Sequence, residues 1–165
     1  IIGVQFRNLA TVGASVASKY GFSDVITPLL ACGARVRLHE QGELSLEAFL
    51  RAPRRRDVLT EIILPKAGGA GAFCNFRAST GDFSILNVAA LRRENTWRLA
   101  VGARPHCAAL AYKAMEQLDG GAEADLAART AAEELSFAGN MRASAEYRQA
   151  LCQTLCARVL REVEK

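Results

Sequence analysis

Two different periods run through this chain. From 58 to 101 it is rich in β-branched and aliphatic residues broken by turn residues, and from 106 onward it is rich in alanine and leucine at helical spacing. A run of strands followed by a run of helices implies helices packed on a sheet, an α+β layer. Strands are predicted at 58–64, which stops at Pro65, and at 72–77, 83–91 and 96–101, with a Gly-rich turn over 66–71. Arg92-Arg93-Glu94-Asn95 suits a hairpin connection, so the sheet is expected to be small and antiparallel. Helices are predicted at 106–118 after Pro105, at 123–135 and at 144–163, the first stopped by Asp119-Gly120-Gly121. Ser144 is the N-cap of the last, and Leu151, Leu155, Val159 and Leu160 recur on one face.

The first fifty residues mix short helices and strands. The start, Ile1-Ile2-Gly3-Val4, reads as the middle of a strand, so further sequence is expected upstream, and 12–16 reads as a short strand or turn. Thr27 and Pro28 look like the N-cap and first residue of a helix over 28–32 that Gly33 stops. Residues 35–38 alternate polar and apolar, as a half-buried strand does. Ser45 caps a helix over 45–50 with Glu47 in its first turn. The basic run 51–56 then serves as a linker, dividing the chain into a 1–52 unit and a 57–165 unit.

Bulk properties remove several function classes. The chain has 165 residues, half of them hydrophobic, enough for a real core. Its net charge of +4 includes the Arg51, Arg54, Arg55 and Arg56 run, but no aromatic residues are interleaved there, so a solvated linker is favoured over nucleic-acid binding. No apolar run reaches the length of about 18 residues that a membrane span needs. The five cysteines, Cys32, Cys74, Cys107, Cys152 and Cys156, have no zinc spacing and read as small buried hydrophobes in a reducing cytoplasm. His39 and His106 lack a nucleophile in a recognisable motif, and Glu133-Glu134 reads as a solvated helix face. No catalytic side chain and no metal site are therefore expected.

A ligand loop is a better candidate. Thr11, Gly13, Ala14 and Ser15 are all small, which lets a ligand approach the backbone, and free N–H groups at such a turn suit a phosphate or pyrophosphate. The competing reading is an ordinary packed turn.

These residues belong to an ordered set of motifs. Arg7-Asn8-Leu9-Ala10-Thr11-Val12-Gly13-Ala14-Ser15 is followed by Ser23-Asp24 and Thr27-Pro28-Leu29-Leu30-Ala31, then by Ile62-Ile63-Leu64-Pro65. Phe76-Arg77, Asp82-Phe83 with Val88-Ala89, Arg98-Leu99-Ala100-Val101-Gly102, and Arg142-Ala143-Ser144 with Tyr147-Arg148 complete it. In this order the set resembles the FAD-binding (medium) subunit of the molybdenum hydroxylases, the xanthine dehydrogenase and carbon monoxide dehydrogenase type, and it covers nearly the whole chain. The resemblance implies the end of a FAD-binding subdomain followed by a C-terminal flavoprotein domain of sheet plus helices. It implies FAD as cofactor, with Thr11, Gly13, Ala14 and Ser15 along the pyrophosphate, Asp24 at the cofactor's polar middle and Leu59 against the isoalloxazine. It also implies partner subunits carrying molybdopterin and iron–sulfur clusters, an acceptor such as NAD, and electron transfer in the cytoplasm. The alternative is a flavin-free interaction module of the same complex.

Three departures from the pattern matter. The family's Gly-Gly-Asn is Gly13-Ala14-Ser15 here, which adds a methyl group where backbone approaches phosphate. A lysine common near the flavin ring falls on Cys74 or Asn75. The family's first FAD subdomain would precede Ile1, so this chain alone is expected to bind FAD weakly or not at all, and to be inactive by itself.

Overall fold

The computed structural model describes residues 3–66 and 68–165. Two short helices come first, α1 (Val4–Leu9) and α2 (Val12–Ala17), where a strand and a strand or turn were expected. Ile1 and Ile2 lie outside the described residues. Thr11 accounts for α2: its backbone is extended and its Oγ1 accepts the Ala14 N–H at 3.0 Å, an N-cap hidden among small residues. α1 buries none of its residues, so it carries no core-facing stripe from which a helix could be read.

Helix α3 (Ile26–Ala31) starts earlier than expected. Its N-cap residue is Val25, which makes no side-chain cap bond; Ser23, two residues earlier, accepts from the Val25 and Ile26 N–H groups through its Oγ at 3.3 Å. Thr27, expected as the cap, is fully buried inside the helix and donates to Asn87. Gly33 ends the helix at φ 71°, with its N–H on Leu30 O and the Ala34 N–H on Leu29 O, a left-handed stop as expected.

Strand β1 (Arg35–Leu38) is the expected alternating strand, with Val36 and Leu38 inward. It pairs antiparallel with β2 (Gly42–Ser45) on one side and β3 (Leu59–Ile63) on the other, giving the order β2-β1-β3. Between them lies α4 (Leu46–Arg51), capped as expected by Ser45, which accepts the Ala48 N–H at 3.1 Å. The strand at 58–64 was assigned to the second sheet, but it pairs with β1 across the basic run. Pairing over that sequence distance is not written in the strand's own residues.

The second sheet has the order β4-β5-β6-β7, all antiparallel: β4 (Ala70–Phe76), β5 (Leu86–Arg93), β6 (Thr96–Gly102) and β7 (Ala109–Leu110). The hairpin between β5 and β6 turns at Glu94, φ 52°, after the Arg93–Thr96 pair. Of the 66–71 turn, Ala67 lies outside the described residues and Ala70 and Gly71 already belong to β4. Residues 83–85, expected in a strand, form a loop before β5.

Helix α5 (Tyr112–Asp119) begins well after the expected 106, because the chain first makes β7. Glu134, read as part of a solvated pair, caps α5 by accepting from the Lys113 and Ala114 N–H groups at 3.0 and 3.1 Å. Helices α6 (Ala124–Glu134) and α7 (Ala145–Val163) stand where expected, and Ser144 caps α7 through the Tyr147 N–H at 3.2 Å. These helices cover one face of the second sheet, and the buried alanines Ala114, Ala127, Ala128 and Ala131 let them approach closely. The other face carries Ala89 and Ala100, which join Val16, Ile26, Leu30, Val36 and Leu46 in a second core. The central strands β5 and β6 are thus buried on both sides, and the α+β expectation is borne out.

Candidate functional site

The site is built around the start of α2. A helix leaves its first N–H groups without intrahelical partners. Here the Thr11 hydroxyl takes the Ala14 N–H and the Thr11 carbonyl takes the Ser15 N–H at 3.0 Å, so the helical pattern leaves Val12 and Gly13 N–H open. Ser15 Oγ donates back to Thr11 O at 3.0 Å and so has no proton to offer a ligand, whereas Thr11 uses its hydroxyl only as an acceptor and keeps its proton. Two amides and one hydroxyl therefore form the donor set.

Among the described residues nothing requires glycine at 13. A Cβ placed there would meet Leu59 Cδ2 at 3.9 Å, an ordinary contact. Alanine would favour the helix more. The same contact places Leu59, on β3, beside the turn. Leu59 also borders a cavity of about 130 Å³ with Lys19 and Phe49. Lys19, at φ 49°, donates to Phe49 O and Ala52 O at 2.5 and 2.9 Å; burial pushes its pKa down.

On the other side of α2, Ser15 and Asp24 line one cleft of about 110 Å³ together with Phe6, Tyr20, Phe22 and Phe83. Tyr20 stacks on Phe22 at 5.0 Å, and Phe22 meets Phe83 at 4.1 Å. Among the described residues, Ser84, Asn87 and Arg77 hold Asp24 from the second sheet and its connecting loop. Ser84 Oγ and Asn87 Nδ2 donate to its Oδ1 at 2.6 and 2.9 Å, and Arg77 forms an ion pair with Oδ2. Burial opposes its ionisation, but the Ser84 and Asn87 hydrogen bonds and the Arg77 charge outweigh that and draw its pKa down. Asn87 is satisfied in turn by the Thr27 hydroxyl, which donates to its Oδ1 at 2.7 Å.

The structure thus gathers Thr11, Gly13, Ala14, Ser15, Asp24 and Leu59 around α2: Leu59 on one flank, Asp24 on the other. Ala14 and Thr11 are exposed there. Sequence reading missed Arg77, Ser84 and Asn87 as the holders of Asp24, and Tyr20 and Phe22 as the wall of its cleft. Arg77 and Phe83 were flagged only as parts of strand motifs, and no spacing rule links them to Asp24 across more than fifty positions.

Other candidates stay apart. Cys74 packs under α7 with its Sγ 3.9 Å from Leu155 O, and burial pushes its pKa up to about 11, while Asn75 beside it is exposed. Of these two positions, 75 is the one on the open side of β4. Cys152 and Cys156 are buried with their sulfurs 3.7 Å apart, and the described residues contain no cluster of three or more metal-ligating side chains. His39 and His106 are exposed and far from any nucleophile motif. In the basic run, Arg51 pairs with Glu47 at 2.8 Å and Arg54 donates to Ser18 O at 2.6 Å. No helix among the described residues is long and apolar enough to cross a membrane.

Known families agree with this organisation. Residues 71–163 match the CO dehydrogenase flavoprotein C-terminal domain, and residues 1–67 match the FAD binding domain in molybdopterin dehydrogenase. The chain belongs to the flavoprotein-subunit family of the molybdenum hydroxylases. It is 26% identical over 175 residues to the nicotine 6-hydroxylase medium subunit of Paenarthrobacter nicotinovorans, covering 96% of this chain and 62% of that protein. Its fold superposes on quinoline 2-oxidoreductase from Pseudomonas putida 86 with a TM-score of 0.84 at 22% identity, covering 99% of this chain and 63% of the other. CO dehydrogenase from Hydrogenophaga pseudoflava gives 0.84 at 23% identity, with 99% and 64% covered. The chain thus spans about three fifths of the length of these relatives. The two matched family regions meet in the Gly68–Ala70 segment, just after β3 and before most of β4.

Proposed function

We propose that this chain carries half of the FAD site of an electron-transfer subunit in a molybdenum hydroxylase. The carrying observation is the open first turn of α2, whose Val12 and Gly13 amides and Thr11 hydroxyl offer donors to a diphosphate where no described neighbour requires a glycine. Leu59 lies on the flank assigned to the flavin ring, and Asp24, held ionised by Arg77, Ser84 and Asn87, offers acceptors to sugar hydroxyls. When bound, FAD takes up two electrons and passes them on; the protein supplies binding, orientation and field. The electrons would come from iron–sulfur clusters and a molybdopterin centre on partner subunits and leave to an acceptor such as NAD. A cytoplasmic setting accords with this role. The resemblance puts a lysine at Cys74 or Asn75, neither of which is cationic, so the reduced ring would receive less cationic support.

Half a site gives weak binding. Titrating FAD into this chain, and into a version extended upstream with a family-type first subdomain, tests the reading by flavin fluorescence. Binding by the extended version, weaker or undetectable in the shorter one, is expected. One observation favours the alternative of a flavin-free interaction module: Ala14 puts a methyl group on the exposed first turn of α2. Failure of the extended version to bind would select that alternative.

A further inference from the structure

Behind the Asp24 cleft lies a second cavity, of about 200 Å³, that the flavin reading does not use. The Phe22–Phe83 pair forms a wall common to both. Its other wall is made by the two arginines that open and close the Arg142–Arg148 motif, together with Asn140 and Ser84. Arg148 is 1% exposed, yet no carboxylate lies within salt-bridge distance of it among the described residues. Its guanidinium is held by neutral oxygens only: Ile85 O, Ala103 O at 2.7 Å and Asn140 Oδ1 at 2.6 Å. Its Nε is buried with no hydrogen-bond partner. Arg142 binds Asp82 through Nε and Nη2 at 3.0 and 2.7 Å and lies 5.3 Å over the Phe83 ring, which leaves its Nη1 without a protein partner among the described residues.

A buried guanidinium without a counter-charge is costly, and a second cation on the same cavity adds to the cost. Arg77 and Arg142 each have an aspartate, whereas Arg104, which does not line this cavity, is buried like Arg148 on neutral oxygens only; what sets Arg148 apart is the cavity it shares with Arg142. Burial first, and then the Arg142 charge, push the Arg148 pKa down, the direction that a bound anion would reverse. The cavity is small, with an aromatic wall and guanidinium donors that match planar or tetrahedral oxygens.

We infer that this cavity is an oxyanion site, taking a carboxylate or phosphate group between Arg148 and Arg142 against the Phe22–Phe83 wall. The inference does not rest on the flavin reading, and its test needs no flavin. The side-chain Nε–H resonances of the arginines in the whole chain, labelled with nitrogen-15, are followed while inorganic phosphate or sodium benzoate is added. Sodium chloride at matched ionic strength is the control. A saturable shift of the Arg148 Nε–H with at least one of the two is expected, weakened about tenfold by Arg142→Gln, a part-exposed position outside both hydrophobic cores. Saturation by phosphate alone would assign a phosphate site, and saturation by benzoate alone a carboxylate site. A shift no larger than that in sodium chloride, or equal affinities in the two proteins, would mean an adventitious ion only and a purely structural Arg148.

Discussion

At the scale of single residues, the site separates what the fold needs from what a ligand needs. Gly13 is the clearest instance, since its Cβ position is open apart from one ordinary contact with Leu59. Gly13→Ala should therefore stabilise the unliganded chain slightly, by about 0.5 kcal/mol, through better helix propensity. The same change should weaken FAD binding at least tenfold in the upstream-extended version, because the methyl group blocks the amides. Denaturant melts and flavin titrations on one pair of proteins read the two opposite effects. Asp24 gives a second prediction. Its folded-state pKa lies below its unfolded value, so the stability it contributes is present above about pH 4 and is lost as pH falls through the folded pKa. Asp24→Asn should be the less stable protein at neutral pH, with a flatter stability profile below about pH 4. Parallel profiles for the two proteins would refute a role for the Asp24 charge in stability.

Between elements, the controlling contact is the crossing of α3 over β5 and β6. Thr27 on α3 donates to Asn87 on β5, and Gly102 on β6 leaves the room for it. A Cβ at 102 would stand 2.1 Å from Thr27 Oγ1 and 2.3 Å from Asn87 Oδ1, so this glycine is required by the chain itself, unlike Gly13. Gly102→Ala should cost about 3 kcal/mol, from overpacking and a broken buried hydrogen bond. Thr27→Ala in the same protein should recover part of that loss, and strictly additive effects in the double variant would contradict the mechanism. This scale also shows what the sequence could and could not tell. Elements with local signals were legible: β1 by its alternation, α4 and α7 by Ser45 and Ser144, the hairpin by its turn. The helices α1 and α2 were not, because their apolar Val4, Phe6, Leu9 and Val12 are exposed and mark no buried face. The place of β3 and the capping of α5 by Glu134 depend on partners distant in sequence. The six residues proposed for the cofactor come from the family resemblance, five of them (Thr11, Gly13, Ala14, Ser15 and Asp24) from its motifs and Leu59 from the resemblance alone. Their supports, Arg77, Ser84 and Asn87, could not be named in this way, since what links them to Asp24 is the way α3 crosses the sheet.

For the whole molecule, the two family regions share a core and buried polar bonds, so they are expected to fold as one unit. The first sheet and α3 bury their apolar side against Ala89, Ala100 and Leu110 of the second sheet, and the Asp24 network joins the same two regions through buried polar bonds. Cutting within residues 68–70 would expose both surfaces, leave the Asn87 side chain without its partners Thr27, Ser23 and Asp24, and leave Arg77 without its aspartate. Arg98 and Arg93 add further ties, donating to the carbonyls of Ala31, Leu30 and Cys32 at the end of α3. A structure joined in this way should unfold in one step despite its two sheets. Calorimetry of the chain should give one transition whose calorimetric and van't Hoff enthalpies agree, and a 71–165 fragment should melt well below the intact chain. Two resolved transitions, or a fragment as stable as the whole, would show that the shared core contributes little. The region that holds the Asp24 carboxylate would then be free to move relative to the turn that offers the amides, and a preformed half-site could not exist.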